Sequence, residues 1–180
     1  HMDFAGPFQG NYWLLVVDAK SKWPEVLRVS RATTETTIEC LSQLFARFGI
    51  PRQLVTDNGA AFASVEFQQF TQRNGIQHIT TAPYAPKTNG EAERFVKTFK
   101  QVMKAEKTSP SKLAMTQLQR FLLSYRNTPH STTGISPAEA LLGHRLRWPM
   151  DLIFHSGEDL IEKWAGKTRR GEVRNFKEGE

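Results

Sequence analysis

Apolar residues near the start of the chain follow two strand patterns. Residues 11–19, NYWLLVVDA, form an apolar run rich in β-forming side chains, which predicts a central strand. Residues 23–29, WPEVLRV, alternate apolar and polar side chains and predict a second strand. The polar segment AKSK between the two runs predicts a hairpin that makes the two strands neighbours.

Helical spacing appears next, over residues 33–49. Apolar side chains recur there in steps of three and four, and the run stops at Gly49. The apolar positions are Ile38, Leu41, Leu44, Phe45 and Phe48. Residues 64–75 predict a second helix, with Ser64 as its N-cap and Gly75 at its end.

The rest of the pattern adds two strands and two helices. Short strands are predicted at residues 50–59, where a turn closes the segment, and at residues 76–81. Helices are predicted at residues 111–128 and 136–143. Strands concentrate in the first half and helices occur throughout, so the expected class is a layered α/β fold.

Residues 82–100, APYAPKTNGEAERFVKTFK, join a loop with prolines and a glycine to a strongly helical run. Counting from Glu93, three lysines follow at helical spacing on one face: Lys97, Lys100 and Lys104. The core face is expected to carry Phe95, Val96, Phe99 and Met103. The helix would thus offer a carboxylate in its first turn and a basic stripe beyond it. The alternative is an ordinary amphipathic helix with Glu–Lys pairs.

The charge balance favours an anionic partner. The 180 residues carry a formal net charge of +6 and a sequence pI of about 9.6, and 39% hydrophobic and 23% charged residues are globular values. Nucleic acid is the partner that such a charge suits best, and a solvated basic surface is the alternative. The sequence has no apolar run of membrane-spanning length. Cys40 is the only cysteine, so no disulfide can form within the chain.

The histidines show no metal-binding pattern. None of the five pairs with the single cysteine at the spacing of metal ligands, and each is expected to be a surface or capping residue. They are His1, His78, His130, His144 and His155.

A carboxylate also stands at the end of a predicted strand. Asp57 follows LVT and precedes an Asn-Gly turn, where a side chain points into a cleft, although Asp-Asn-Gly is also a common turn. Two carboxylates brought together repel each other unless a cation lies between them. Mg²⁺ uses a few carboxylates and completes its shell with water and phosphate oxygens. Asp57 and Glu93 would then hold metal while the lysines hold a phosphate backbone.

The motifs resemble the catalytic core of retroviral and LTR-retrotransposon integrases. Thirty-five residues separate Asp57 from Glu93, TDNG is followed by YAPKTNGEAER, and DFAGPF near the start resembles the segment with the family's first aspartate. The segments VVDAKSKWPEV, YRNTPHSTTGISPAEALLGHRLR and RNFKEGE are typical of the Gypsy branch of retrotransposons. The resemblance covers nearly the whole chain.

This resemblance implies an RNase H-like fold, a five-stranded mixed sheet flanked by helices. It also implies an acidic triad of Asp3, Asp57 and Glu93, which would bind two Mg²⁺ ions, with Mn²⁺ as a substitute. The strand of Asp3 lacks most residues upstream, so we expect it to fray. Asp18 competes as the first aspartate, although a hairpin mouth also favours Asp there. Glu91 competes with Glu93, and an acid near a helix N-terminus is its alternative role.

The same resemblance predicts the DNA contacts. Residues 83–91 would form a mobile active-site loop that includes Pro86. The predicted DNA-binding residues are Tyr84, Lys87, Asn89, Lys97, Lys100 and Lys104. Ala60 and Ala61 stand where relatives often carry polar residues near target DNA, which leaves target contacts open.

The expected organisation is a catalytic core at residues 1–157 and a charged linker at residues 158–180. The implied function is metal-dependent 3′-end processing and strand transfer of retrotransposon DNA into target DNA. The implied setting is the nucleus, with DNA as partner and a homodimer or higher oligomer on it. A domesticated domain that binds DNA or protein without catalysis is the main alternative; a structural dimerisation module and another transposase or nuclease of this fold are further ones.

Overall fold

The computed structural model of this chain describes residues 1–8, 10–81, 86–105, 111–148 and 151, without the side chains of residues 86–93, 104–105 and 111–114. Three strands come first in this part of the chain, two further strands are interleaved with helices, and helices alone follow residue 80. The order is β1 (Met2–Phe8), β2 (Asn11–Val17), β3 (Pro24–Val29), α1 (Thr34–Phe48), β4 (Gln53–Thr56), α2 (Ala60–Ala63), α3 (Val65–Arg73), β5 (Gln77–Thr80), α4 (Pro86–Ala105), α5 (Ser111–Asn127) and α6 (Pro137–Leu142).

The first three strands form an antiparallel sheet with β2 in its centre. The predicted hairpin between β2 and β3 is confirmed, because the amide of Asp18 donates to the carbonyl of Trp23 at 3.0 Å. The amide of Lys22 closes the turn on the carbonyl of Asp18 at 2.9 Å. The two predicted strands are therefore neighbours, as the polar segment between them indicated.

β1 is paired along β2 from its beginning. Met2 lies opposite Val16, and the amide of Val17 donates to the carbonyl of His1 at 2.8 Å. The expectation that this strand would fray is wrong for this structure, because these backbone hydrogen bonds tie down its first residues. The register shifts further along, near Gly6. A Cβ atom at Gly6 would come within 2.9 Å of the carbonyl oxygen of Asn11, so only glycine fits there.

β4 and β5 pair in parallel and form a second hydrogen-bonded sheet. The prediction of a mixed α/β fold is confirmed, because antiparallel and parallel pairs both occur and helices flank them. The predicted single five-stranded sheet is divided by hydrogen bonding into three strands and two among the described residues. β1 nevertheless lies in contact with β4, so the two sheets meet at these strands.

Side-chain alternation along β2 gives the fold two cores. Leu14 is buried in one cluster and Leu15 in the other, since successive side chains of a strand point to opposite faces. The first cluster, here called the α1 core, joins β2 to residues of α1, α2 and α3. The second, here called the α4 core, joins β2 to residues of α4 and α5.

α1 is held by caps that its sequence predicts in part. The Thr33 hydroxyl accepts from the Thr36 amide at its start, and the amide of Gly49 donates to the carbonyl of Phe45 at its end. Leu41 and Leu44 are buried as predicted. Phe48 was expected on the same buried stripe, but its side chain is 48% exposed and the Arg47 guanidinium lies 5.4 Å from its ring. The last turn of α1 therefore extends beyond the buried stripe of the helix.

The other predicted helices and strands are present, with two differences in detail. The hydroxyl of Ser64 caps α3, as predicted, by accepting from the amide of Phe67 at 3.1 Å. The strand predicted at residues 50–59 is shorter, Gln53–Thr56, and the four-residue helix α2 follows it. Sequence reasoning missed α2, because so short a helix has no amphipathic period to detect.

α4 begins earlier than predicted. Residues 86–91 were expected in a loop, but they are helical, while residues 82–85 lie outside the described part of the chain. Pro86 can open a helix because its missing N–H would have no partner in the first turn. Gly90 lies inside α4 at a cost of about 1 kcal/mol relative to alanine. Glu93 is consequently well inside the helix and not in its first turn.

The core face of α4 is the predicted one. Phe95, Val96, Phe99 and Met103 are all at most 6% exposed and belong to the α4 core. The Phe99 ring lies 5.7 Å from that of Trp13 on β2 and 6.2 Å from that of Phe8 on β1. This aromatic contact attaches α4 to both strands.

α5 is attached to the sheet by the half-buried side chain of Arg126. The Arg126 guanidinium lies 4.2 Å from the Trp23 ring and donates to the carbonyl of Pro24 at 2.8 Å. It also pairs with Glu25 at 3.3 Å. Burial lowers the pKa of Arg126, and the neighbouring Glu25 carboxylate opposes that effect.

The chain divides into two compact units, His1–Arg145 and Leu146–Glu180. The first contains all the elements named above. In the second, the amide of Trp148 donates to the Asp151 carboxylate at 2.9 Å. The predicted boundary at residue 157 lies outside the described residues and stays a prediction. Among the helices that are described, none has the length and apolar character needed to cross a bilayer.

Replacing Phe99 tests the packing of α4 on the strands. We expect Phe99→Ala to lower the free energy of unfolding by about 3–5 kcal/mol, because the change removes a fully buried ring. The neighbouring residue Lys100 is exposed and gives a matched control. Lys100→Ala should change the free energy of unfolding by less than about 0.5 kcal/mol. Urea denaturation of both variants measures this, and equal losses would contradict the packing described.

Candidate active site

Asp3 lies on the face of β1 that α4 covers. Its neighbour Phe4 packs on the α1 core, while Ala5 is buried in the α4 core. Because side chains alternate along a strand, Asp3 shares the face of Ala5. Asp3 is half-buried and lies opposite Leu15, a residue of the same α4 core.

Asp57 stands in the turn that follows β4. Its side chain is exposed, and its Oδ1 atom accepts a hydrogen bond from the amide of Gly59 at 2.9 Å. A Cβ atom at Gly59 would lie 3.0 Å from that same Oδ1 atom. The turn therefore orients one carboxylate oxygen and leaves the carboxylate accessible to solvent.

An aromatic stack anchors the Asp57 turn to β1. The rings of Phe4 and Phe62 are stacked, with centroids 5.4 Å apart and planes 12° from parallel. Phe62 belongs to α2, and its amide donates to the carbonyl of Gly59 at 2.9 Å. The residue next to Asp3 thus contacts the helix that follows Asp57.

Glu93 lies on α4, the helix that packs on the Asp3 face of β1. Phe99, six residues later on the same helix, fixes α4 against Phe8 of β1. The side chains of Glu93 and its competitor Glu91 lie outside the described set. Asp3 is thus on β1, Asp57 directly follows β4, which contacts β1, and Glu93 is on α4, which also contacts β1. The structure describes the side chains of the two aspartates alone among these three residues.

The predicted DNA-binding residues are described in part. Lys97 and Lys100 are exposed on α4, away from its core face, as predicted. The side chains of Lys87, Asn89 and Lys104 are outside the described set, and Tyr84 lies in the segment 82–85 that is not described.

Asp18 has a hairpin role in this structure. Its Oδ2 atom accepts from the amide of Ser21 at 2.7 Å and from the Ser21 hydroxyl at 2.6 Å. Burial raises the pKa of Asp18, but these hydrogen bonds outweigh it and the net pKa is lowered. The carboxylate thus stabilises the turn between β2 and β3. This hairpin role is the alternative that was considered to a role as the first aspartate of the triad.

The side chains of Asp3 and Asp57 are chemically suited to bind a hard divalent cation. Asp3 and Asp57 supply carboxylate oxygens, the ligands that Mg²⁺ prefers, and Asp57 is open to solvent. Among the described side chains no three acidic, histidine or cysteine groups are close enough to hold a metal, and Glu93 is outside that set.

Sequence reasoning missed the contact that His78 makes with Thr56. It was expected at the surface or in a cap, but it is half-buried on β5, with its ring edge-on to Phe67 at 5.1 Å. Its Nε2 atom lies 2.8 Å from the Thr56 hydroxyl, next to Asp57. The parallel register, which places Leu54 opposite His78, is what brings it there. The segment QHIT alone shows no period that predicts this contact.

Two family models match most of the compact unit. A model described as integrase core domain matches residues 1–86, and a second model with the same description matches residues 74–137. Both Asp3 and Asp57 fall in the first match and Glu93 in the second.

Curated relatives are longer proteins. The chain is 44% identical over 154 residues to an uncharacterized protein of Caenorhabditis elegans, covering 85% of this chain and 12% of the relative. It is 30% identical over 159 residues to the Gag-Pol polyprotein of Walleye dermal sarcoma virus, covering 87% and 9%. The chain therefore spans a small part of each.

Solved structures share the fold. The catalytic core domain of BIV integrase superposes with a TM-score of 0.62 at 22% identity, covering 79% of this chain and 93% of that one. A chain of the simian T-cell lymphotropic virus intasome, solved with a PP2A regulatory subunit, gives a TM-score of 0.66 at 23% identity, covering 82% and 55%. The predicted RNase H-like fold class is thus confirmed.

The burial of His78 predicts a pH dependence of stability. Burial lowers the pKa of His78 below its value in the unfolded chain. The unfolded state then takes up the proton first as the pH falls, so the contribution of His78 is present at neutral pH and is lost on acidification. We expect the free energy of unfolding to fall more steeply between about pH 7 and pH 5 in the wild type than in His78→Phe, which cannot titrate. Parallel pH profiles of urea denaturation would contradict this.

Proposed function

Because the chain belongs to the integrase core domain family, of the retroviral type, we propose that it is the catalytic core of an LTR-retrotransposon integrase. It would cut near the 3′ ends of the element's DNA and join the freed ends to target DNA, with a metal ion as cofactor. The Gypsy branch is proposed on the segments quoted above, such as YRNTPHSTTGISPAEALLGHRLR.

The observation that supports catalysis most is the arrangement around β1. One aspartate is on this strand, and the elements with the other two acidic residues are packed against it through Phe62 and Phe99. Carboxylates on converging elements of a basic protein are costly to hold together unless a cation neutralises them. A purely structural module would gain nothing from bringing these carboxylates together.

Asp3, Asp57 and Glu93 would hold two Mg²⁺ ions, or Mn²⁺ in their place. When bound, such ions lower the pKa of water and stabilise charge on phosphate oxygens. The chain's own contribution is orientation. The amide of Gly59 fixes the Asp57 carboxylate at 2.9 Å, and β1 is held by its hydrogen bonds to β2. The Asp57 carboxylate and the strand of Asp3 would thus be held in place before substrate arrives, which would lower the cost of reaching the reactive geometry.

The exposed lysines of α4 would bind the DNA backbone beside that site. Lys97 and Lys100 face solvent on the helix that also contains Glu93. Each ammonium group near a phosphate displaces a counterion, which gives affinity without sequence preference. The other predicted contacts, Tyr84, Lys87, Asn89 and Lys104, are proposed on the same grounds of the family resemblance.

DNA and further copies of the chain are the proposed partners, and the nucleus is the proposed site of action. One structural relative is part of an intasome, and the net charge of +6 suits an anionic partner.

The acidic residues should be indispensable for joining. We expect Asp3→Asn, Asp57→Asn and Glu93→Gln each to reduce the resolution of a branched DNA with Mn²⁺ by at least about a hundredfold, because each removes a ligand charge. Asp18→Asn and Glu91→Gln are the matched controls and should retain the activity. A wild-type chain that binds this DNA without cutting it would favour the non-catalytic domain instead.

The lysines should affect binding and not chemistry. We expect Lys97→Ala and Lys100→Ala each to flatten the dependence of log affinity on log salt by about one unit. Saturating DNA should restore the joining rate of both variants. Fluorescence anisotropy at several salt concentrations measures this, and an unchanged salt slope would make the stripe an ordinary solvated helix face.

A further inference from the structure

We propose that His78 is a positioning residue for Asp57, acting through the hydroxyl of Thr56. This inference rests on the proposed function, because it assigns a role toward the carboxylate that would hold metal. His78 is on β5, Thr56 is the last residue of β4, and Asp57 follows it directly.

Two hydrogen bonds connect the three residues. The Thr56 hydroxyl donates to the main-chain carbonyl of Asp57 at 2.8 Å. The Nε2 atom of His78 lies 2.8 Å from the same hydroxyl oxygen. A hydroxyl has one proton, and here that proton is used on the carbonyl of Asp57. The imidazole must therefore be the donor, with its proton on Nε2.

Water cannot readily take the place of His78. Thr56 is 0% exposed, so its hydroxyl depends on protein groups for its hydrogen bonds. Without a donor on one side, the hydroxyl can rotate away from the carbonyl of Asp57. The imidazole thus fixes the direction in which the hydroxyl points.

Other hydrogen bonds hold the groups around the Asp57 carbonyl. The carbonyl of Thr56 accepts from the amide of Thr81 at 2.9 Å and from the Thr81 hydroxyl at 3.1 Å. The Oδ1 atom of Asp57 accepts from Gly59 at 2.9 Å. Thr81, the residue after β5, thus holds the peptide before Asp57, and the turn holds the Asp57 carboxylate. The carbonyl of Asp57 itself is held by Thr56, and hence by His78.

Packing of the His78 ring on Phe67 is the competing explanation for its position, since the two rings meet edge-on at 5.1 Å. Two variants separate these roles. His78→Phe keeps an aromatic ring and removes the donor, whereas His78→Gln loses the ring and keeps a donor at a similar reach. A positioning role predicts rescue by glutamine, and a packing role predicts rescue by phenylalanine.

The first test is the Mn²⁺ dependence of DNA joining in both variants, with Asp57→Asn as the inactive reference. We expect His78→Phe to need about tenfold more Mn²⁺ for half-maximal rate, the usual size of effect for groups that orient a ligand. His78→Gln should stay within about twofold of the wild type, although it melts at a lower temperature. A normal Mn²⁺ requirement in His78→Phe, or a raised one in His78→Gln, would overturn the proposal.

A double-mutant cycle tests the route through Thr56. Thr56→Val removes the hydroxyl at nearly constant shape, so it should raise the Mn²⁺ requirement as His78→Phe does. Because the two residues act in one chain of hydrogen bonds, the double variant should be no worse than the single ones. Additive losses would overturn the route, and Thr56→Ser should behave as the wild type.

A second measurement does not depend on activity. ¹⁵N NMR of the imidazole at neutral pH should show the His78 proton on Nε2, and Thr56→Val should shift that signal. A proton on Nδ1 would overturn the inference. A wild-type chain without joining activity would contradict the proposed function but not the hydrogen bond between His78 and Thr56. The tautomer of His78 would still test that hydrogen bond.

Discussion

The burial of β1 between two sets of aromatic side chains is the constraint on which the rest of the structure depends. Phe4 stacks on Phe62 on one face, and Phe8 meets Phe99 near the other. Regular alternation would place Phe4 and Phe8 on the same face, but the register shift between Ala5 and Phe8 brings Phe8 to the α4 core. One short segment therefore supplies both cores. The first contact fixes the turn that contains Asp57, and the second fixes the helix that contains Glu93. The position of every acidic residue of the candidate site is thus set by packing on one strand.

Much of the fold could be predicted from hydrophobic periodicity. The hairpin of β2 and β3, the buried face of α4 and the cap at Ser64 all follow from local patterns. The start of α4 could not be placed this way. Proline and glycine between residues 83 and 91 favour a loop, yet a proline is tolerated in a first turn and one glycine costs a helix little. Phe48 fits the helical spacing, but the same spacing cannot show where the core ends.

The candidate site could be predicted to a different extent. Spacing and motif resemblance predicted Asp3, Asp57 and Glu93, and the structure places the first two on neighbouring elements. The contact between His78 and Thr56, twenty-two residues apart in sequence, depends on the register of two parallel strands. No local pattern encodes such a register. Asp18 and Asp57 likewise occur in similar turns, and only the hydrogen bonds of Ser21 show that Asp18 stabilises a hairpin.

The proposed catalysis requires above all that Asp3 and Asp57 hold metal together. The most direct measurement is anomalous diffraction from crystals of the chain bound to branched DNA and soaked in Mn²⁺. We expect a manganese peak at about 2.1 Å from carboxylate oxygens of both aspartates. Manganese bound to Asp18, or to neither Asp3 nor Asp57 in the presence of DNA, would contradict it.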